Sequence, residues 1–96
     1  MANVKVVRFF TGEDVLLNLE VVNDEHITFT DGIVIIPTAN EQVTFTPYSP
    51  FSLKKEKISV SRDKVVFIAT PEEDLVEHYN TVFGSIVAPK KEIFTG

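Results

Sequence analysis

The chain has no cysteine, which excludes disulfide staples, thiolate metal sites and cysteine nucleophiles. It also lacks a Gly-x-Ser-x-Gly elbow and a glycine-rich phosphate loop, and its two histidines, His26 and His78, fall on different predicted elements. No hydrolytic or metal-ligating cluster is therefore expected, and no cofactor. No window approaches the ~20 consecutive apolar residues of a membrane span. The N-terminal run Met-Ala-Asn-Val-Lys-Val-Val-Arg carries charge where a signal peptide would be apolar, so a soluble, cytoplasmic protein is expected. Cations are scarce: 9 Lys and Arg against 14 Asp and Glu leave a net charge of -5. Duplex DNA, whose nonspecific binding depends on neutralised phosphates, is a poor partner, although a local basic patch can still hold a short single strand.

The 96 residues suffice for one domain burying roughly 60 to 70 per cent of its unfolded surface. An apolar fraction of 44 per cent suits a globular core. No internal repeat or low-complexity tract interrupts it.

Strand patterns dominate. Val4 to Phe10 reads as a strand, followed by the turn Thr11-Gly12-Glu13-Asp14 with glycine free to take positive φ. Alternation then places Val15, Leu17, Leu19 and Val21 on one face and Leu16, Asn18, Glu20 and Val22 on the other, up to the turn Asn23-Asp24-Glu25. Ile27 and Phe29 return to the core with His26, Thr28 and Thr30 facing away, and Asp31-Gly32 predicts a bulge before Ile33 to Ile36. Pro37 ends that strand, Thr38 to Gln42 is a loop, and Val43 to Thr46 is a short strand. In Pro47-Tyr48-Ser49-Pro50-Phe51 the two prolines predict a rigid loop with Tyr48 and Phe51 packed down, and Lys54 to Lys57 predicts a solvated charged connector.

The segment from Ile58 to Ile68 is the most telling. Ile58 and Val60 alternate with Ser59 and Ser61, Arg62-Asp63-Lys64 turns the chain, and Val65 to Ala69 has no polar residue on either face. Such a strand needs cover on both sides, from a tightly curved barrel or a neighbouring subunit. One helix follows: Thr70 as N-cap, Pro71 at the first helical position and Glu73 completing a capping box predict a helix over 71–84. Leu75, Val76, Tyr79 and Val82 or Phe83 form its apolar stripe, Gly84 suits its C-terminal end, and His78 falls on its polar side. The run Glu72-Glu73-Asp74 complements the helix dipole. Residues 85–96 read as an extended tail with Ile93 and Phe94 available to dock. The expected architecture is thus all-β dominated: a small curved sheet or open barrel of the SH3-like or OB-like kind, with five or six antiparallel strands over 1–70 and a C-terminal helix, and the two motifs described next favour the SH3-like form.

Gly12 with Val15, Leu17, Leu19, Asp24 and Ile27-Thr28-Phe29 resembles the first motif of the Sm and Sm-like proteins, and Val60-Ser61-Arg62-Asp63-Lys64-Val65 resembles their second. The likeness runs over roughly Gly12 to Ile68. The whole chain, with Phe-Phe-Thr-Gly-Glu-Asp-Val at 9–15, Thr-Pro-Tyr-Ser-Pro-Phe at 46–51 and the helix containing Tyr79, is similar to the Sm-like proteins of cyanophages and other marine viruses, whose setting would be the host cytoplasm. This resemblance implies a homo-oligomeric ring joined through Ile58, Val60, Val65 and Phe67, and binding of single-stranded, often uridine-rich RNA.

The family pocket uses an asparagine and an arginine-glycine pair where this chain has Thr28, Ser61 and Arg62, while Asp24 and Asp63 match family positions. A base-binding pocket needs a flat group, an edge donor or acceptor and a cation. His26, Thr28, Ser61, Arg62 and Asp63 supply these if their turns converge. The plain alternative is an exposed strand face beside a solvated turn, with Asp24 and Asp63 capping turns. An oligomeric protein-binding adaptor without RNA, and without enzymatic activity, fits the same sequence.

Overall fold

The structure is a computed structural model and describes residues 3–52 and 55–83. Six antiparallel strands form one sheet: β1 (Val4–Phe9), β2 (Asp14–Val22), β3 (His26–Pro37), β4 (Val43–Pro47), β5 (Ile58–Ser61) and β6 (Val65–Ala69), followed by α1 (Glu73–Phe83). The strand order is β4-β3-β2-β1-β6, with β5 pairing with β3 beyond the β4 segment. Thus β5 and β6 pair with different strands, yet only the 3-10 turn Arg62–Lys64 separates them. The sheet must curl for so short a link to serve both, and it remains unclosed.

The curl creates an interior. Val7, Phe9, Val15, Leu17, Leu19, Ile27 and Phe29 are buried there, with Val34, Tyr48, Ile58, Val60, Val65 and Ile68 packed around them. Phe9, Phe29 and Tyr48 stack with centroids 5.5 to 6.1 Å apart, the offset and tilted arrangement aromatic quadrupoles favour. The opposite face is covered by α1: Leu16, Ile33 and Tyr79 are buried against Val4, Val6, Ile35, Phe45, Leu75 and Phe83. This explains why β2 is apolar on both faces. Leu16 points to the helix and its neighbours Val15 and Leu17 to the interior.

Bulges distribute side chains between these faces. In β3, Thr30 pairs with Asn18 and Ile33 with Leu16, so three steps along β3 match two along β2. Asp31, at φ 57°, occupies the left-handed region, and the extra residue sends Ile33 and Ile35 to the helix side while Val34 faces inward. The expected bulge is present. A second irregularity, between Leu19 and Val21, corrects the simple alternation of β2: Val21 pairs with Thr28 instead of joining Leu19, and is 43% exposed. In β6 the register shifts at Arg8/Phe9, leaving Val65 and Ile68 inward while Val66 and Phe67 are exposed.

Gly32 serves a close approach. A Cβ there would lie 3.2 Å from both Phe29 Cε2 and Tyr48 Cβ and 3.3 Å from Val15 Cγ1, while the Gly32 carbonyl accepts the Tyr48 N–H at 2.9 Å. Gly32→Val is expected to destabilise the fold by about 1–3 kcal/mol through overpacking, measured by urea unfolding; an unchanged midpoint would show that the aromatic trio moves aside freely.

Two further expectations are corrected. The helix begins at Glu73, with Leu75 and Val76 N–H groups donating to the Glu72 carbonyl. Thr70 instead accepts a hydrogen bond from Lys5 Nζ at 3.1 Å, and a residue preceding proline is biased away from helical angles. Phe51 is fully exposed rather than packed down, because the turn in which Ser52 N–H and Oγ donate to the Ser49 carbonyl turns it outward while Tyr48 takes the interior slot. The described part of the charged connector, Lys55 to Lys57, is exposed as expected, and its lysines reach carboxylates on the sheet, Lys55 pairing with Asp31 at 2.8 Å and Lys57 with Glu20 at 3.0 Å. The loop over 38–42 holds a 3-10 turn, Ala39–Glu41. Gly84, Lys54 and the tail with Ile93 and Phe94 lie outside the described residues.

Candidate nucleic-acid interface

The β3–β5 ladder assembles the residues expected to meet a nucleotide. His26 lies opposite Ser61 and Thr28 opposite Ser59, alternating with the pairs Ile27–Val60 and Phe29–Ile58. Directly opposed residues in an antiparallel pair share a face. With Ile27, Val60, Phe29 and Ile58 facing the interior, the outer face carries His26, Thr28, Ser59 and Ser61. The two turns therefore converge.

Each group has a local reason for its position. Asn23 Oδ1 accepts the backbone N–H groups of Glu25 and His26 at 2.8 and 2.9 Å, an Asx turn that launches β3. Asn23, not Asp24, caps this turn, and Asp24 is exposed. The Arg62 N–H donates to the Glu25 carbonyl at 2.8 Å, so the backbone of the second turn is tied to that of the first. Ser61 Oγ donates to Asp63 Oδ1 at 2.6 Å, a contact between side chains, and no side chain caps the backbone of the Arg62–Lys64 turn. Thr28 Oγ1 and Ser59 Oγ are 2.9 Å apart.

Chemically this is a short strip of hydroxyls with an imidazole at one side and a guanidinium at its end. The hydroxyls donate or accept, the imidazole offers a flat surface, and Arg62 supplies the cation. The two turns that meet here also carry Asp24, Glu25 and Asp63, and negative charge on them opposes the approach of phosphate. Ser59 was not among the expected residues; its signal was the Ile-Ser-Val-Ser alternation.

Of the residues expected at a subunit boundary, Ile58, Val60 and Val65 pack against this chain's own interior. Phe67 is 39% exposed and carries the Arg8 guanidinium 5.0 Å from its ring centroid, while Val66 is 61% exposed. Arg8 is itself fixed by a bidentate pair with Asp14 at 2.6 and 2.9 Å, whose hydrogen bond and charge raise its pKa. His78, expected on the surface, is exposed and stacks on Phe45 with centroids 4.3 Å apart. Among the described residues no three His, Asp or Glu side chains gather as metal ligands, and no described helix is long and apolar enough to cross a membrane.

These features define a class: an all-β dominated protein built on one six-stranded antiparallel sheet, unclosed, with a helix over its outer face. No family model matches the chain, and no match was found among curated proteins.

Proposed function

We propose that the protein is Sm-like, that its copies join into a ring through the edges of β5 and β6, and that the ring binds single-stranded, uridine-rich RNA. The observation that carries this reading is the convergence of His26, Thr28, Ser59 and Ser61 on one face, with Arg62 tied to its rim. Two features support assembly. Each of β5 and β6 pairs with one strand among those described, leaving an edge of unpaired backbone groups, and such edges recruit further strands. Val66 and Phe67 place apolar surface beside one of them.

Native mass spectrometry with a uridine-rich oligonucleotide and an oligoadenylate of equal length tests the reading. A discrete ring that captures the uridine strand is expected. Arg62→Ala should weaken capture roughly tenfold and flatten the slope of log affinity against log salt by about 0.7, the share of one phosphate contact on a single strand. Capture unaffected by Arg62→Ala would remove this face from the reading. The net charge of -5 favours a second reading, an oligomeric protein-binding adaptor, for which a ring indifferent to both strands is the expected result.

A further inference from the structure

A groove of about 810 Å³ runs between α1, β4 and the segment after it, and none of its lining residues belongs to the RNA face described above. Phe45, Pro47, Tyr48 and Val82 give it apolar walls, with Ser49 and Ser52 along the rim. Its volume lies within the ~300–1,000 Å³ of ordinary ligand sites. One end is already occupied by the protein itself. Lys55 Nζ lies 2.8 Å from Asp31 Oδ2 and 5.8 Å from the centroid of the Phe83 ring.

The Asp31 side chain is only 13% exposed while that of Lys55 is 66% exposed. The seat therefore belongs to the body of the protein and the cation reaches in from solvent. A carboxylate facing an aromatic ring is a receptor for a positively charged side chain. Lys55 also holds φ at 66°, a left-handed conformation that is unfavourable for a residue with a Cβ. The internal occupant is a strained one.

From this geometry we infer that the groove is a docking site for a short extended peptide bearing an arginine or lysine among prolines and aliphatic residues, and that Lys55 is a built-in competitor for the cation seat. The peptide's basic group takes the place of the Lys55 ammonium between Asp31 and Phe83. Its prolines lie along Phe45, Pro47 and Val82, since aromatic-lined grooves accept extended proline-containing chains with little loss of entropy. Charge selects the same partner. With Lys55 displaced to solvent, Asp31 and the exposed Glu56 leave the groove acidic, within a chain of net charge -5. A basic partner is steered in and a polyanion is repelled.

The test uses the full chain and the synthetic peptide Pro-Leu-Pro-Pro-Arg-Leu-Pro, with glutamine replacing arginine as control, followed by amide NMR and calorimetric titration. The arginine peptide is expected to shift the resonances of Thr46, Ser49, Ser52 and His78. Lys55→Asn removes the competitor yet tolerates the left-handed backbone, so it should bind the arginine peptide about fivefold tighter than wild type. Asp31→Asn, tolerated for the same reason, should bind it roughly tenfold more weakly. The glutamine peptide should not distinguish the three proteins. The inference is overturned if Lys55→Asn binds no better than wild type, if no resonance in the groove responds, or if oligouridylate rather than peptide produces the shifts.

Discussion

Tyr79→Ala is expected to lower the unfolding free energy by roughly 3–5 kcal/mol, the range for deleting a large buried aromatic. Tyr79 is 1% exposed and is the helix residue at the centre of the outer cluster, between Leu16 and Ile33. Its ring lies 4.7 Å from that of Phe83, and its hydroxyl donates to the Asp31 carbonyl at 2.8 Å. Removing the ring opens a cavity under α1 and removes that tie to the β3 bulge. Chemical denaturation followed by circular dichroism measures the change. A loss below about 1 kcal/mol would mean that the helix contributes little to holding the sheet.

Tyr79→Phe separates the hydroxyl from the ring. It should cost about 1–3 kcal/mol at neutral pH, because the partly buried Asp31 carbonyl loses its donor. It should also change the alkaline limb of the stability curve. Burial and the nearby Asp31 charge raise the Tyr79 pKa far above its ordinary value of 10. The folded state therefore keeps a proton that the unfolded state releases. The stabilisation is complete below pH ~10 and is lost above it, by up to about 1.4 kcal/mol per pH unit until the folded group itself titrates. Tyr48, also raised by burial, is present in both proteins and cancels in the comparison. Wild type should thus lose stability more steeply than Tyr79→Phe above pH 10; parallel curves would contradict the protonated, buried hydroxyl.

The second large effect concerns assembly. Val66→Asp combined with Phe67→Asp is expected to reduce association by about 3 kcal/mol per boundary, a ~100-fold change in the association constant, because each junction would bury unpaired carboxylates. Both positions are exposed in the single chain, so its circular dichroism should change little. Native mass spectrometry or sedimentation reads the result. Rings that persist in the double variant would exclude β6 as a joining edge and move attention to β4 and β5, which also pair with one strand each among those described.

Alternation and turn chemistry made the strands and their turns legible: Gly12 takes positive φ, Asp31 begins the bulge, and Ile27, Phe29, Ile58 and Val60 face inward as their spacing indicates. Alternation fails at Val21 and Val66 because register shifts in long curved strands depend on partners far away in the sequence. The helix start moved to Glu73 for a similar reason, since Lys5, distant in the chain, claims the Thr70 hydroxyl. The outer strip of His26, Thr28 and Ser61 was legible once two turns were paired. Ser59 needed the β3–β5 register, and the Lys55 seat required contacts between Asp31, a loop and the end of the helix.

The extra residue in β3 gives that strand an odd kind of rigidity. Exchanging one aliphatic side chain for another between Ile33 and Ile36 alters packing locally, whereas removing a single residue at Asp31–Gly32 would interchange the two sides of everything that follows. Ile33 and Ile35 would enter the interior, Val34 would meet α1, and β4 would inherit the inversion through its pairing with Ile35 and Ile36. Between Ile33 and Ile36, the number of residues matters more to this strand than which aliphatic side chain each one carries.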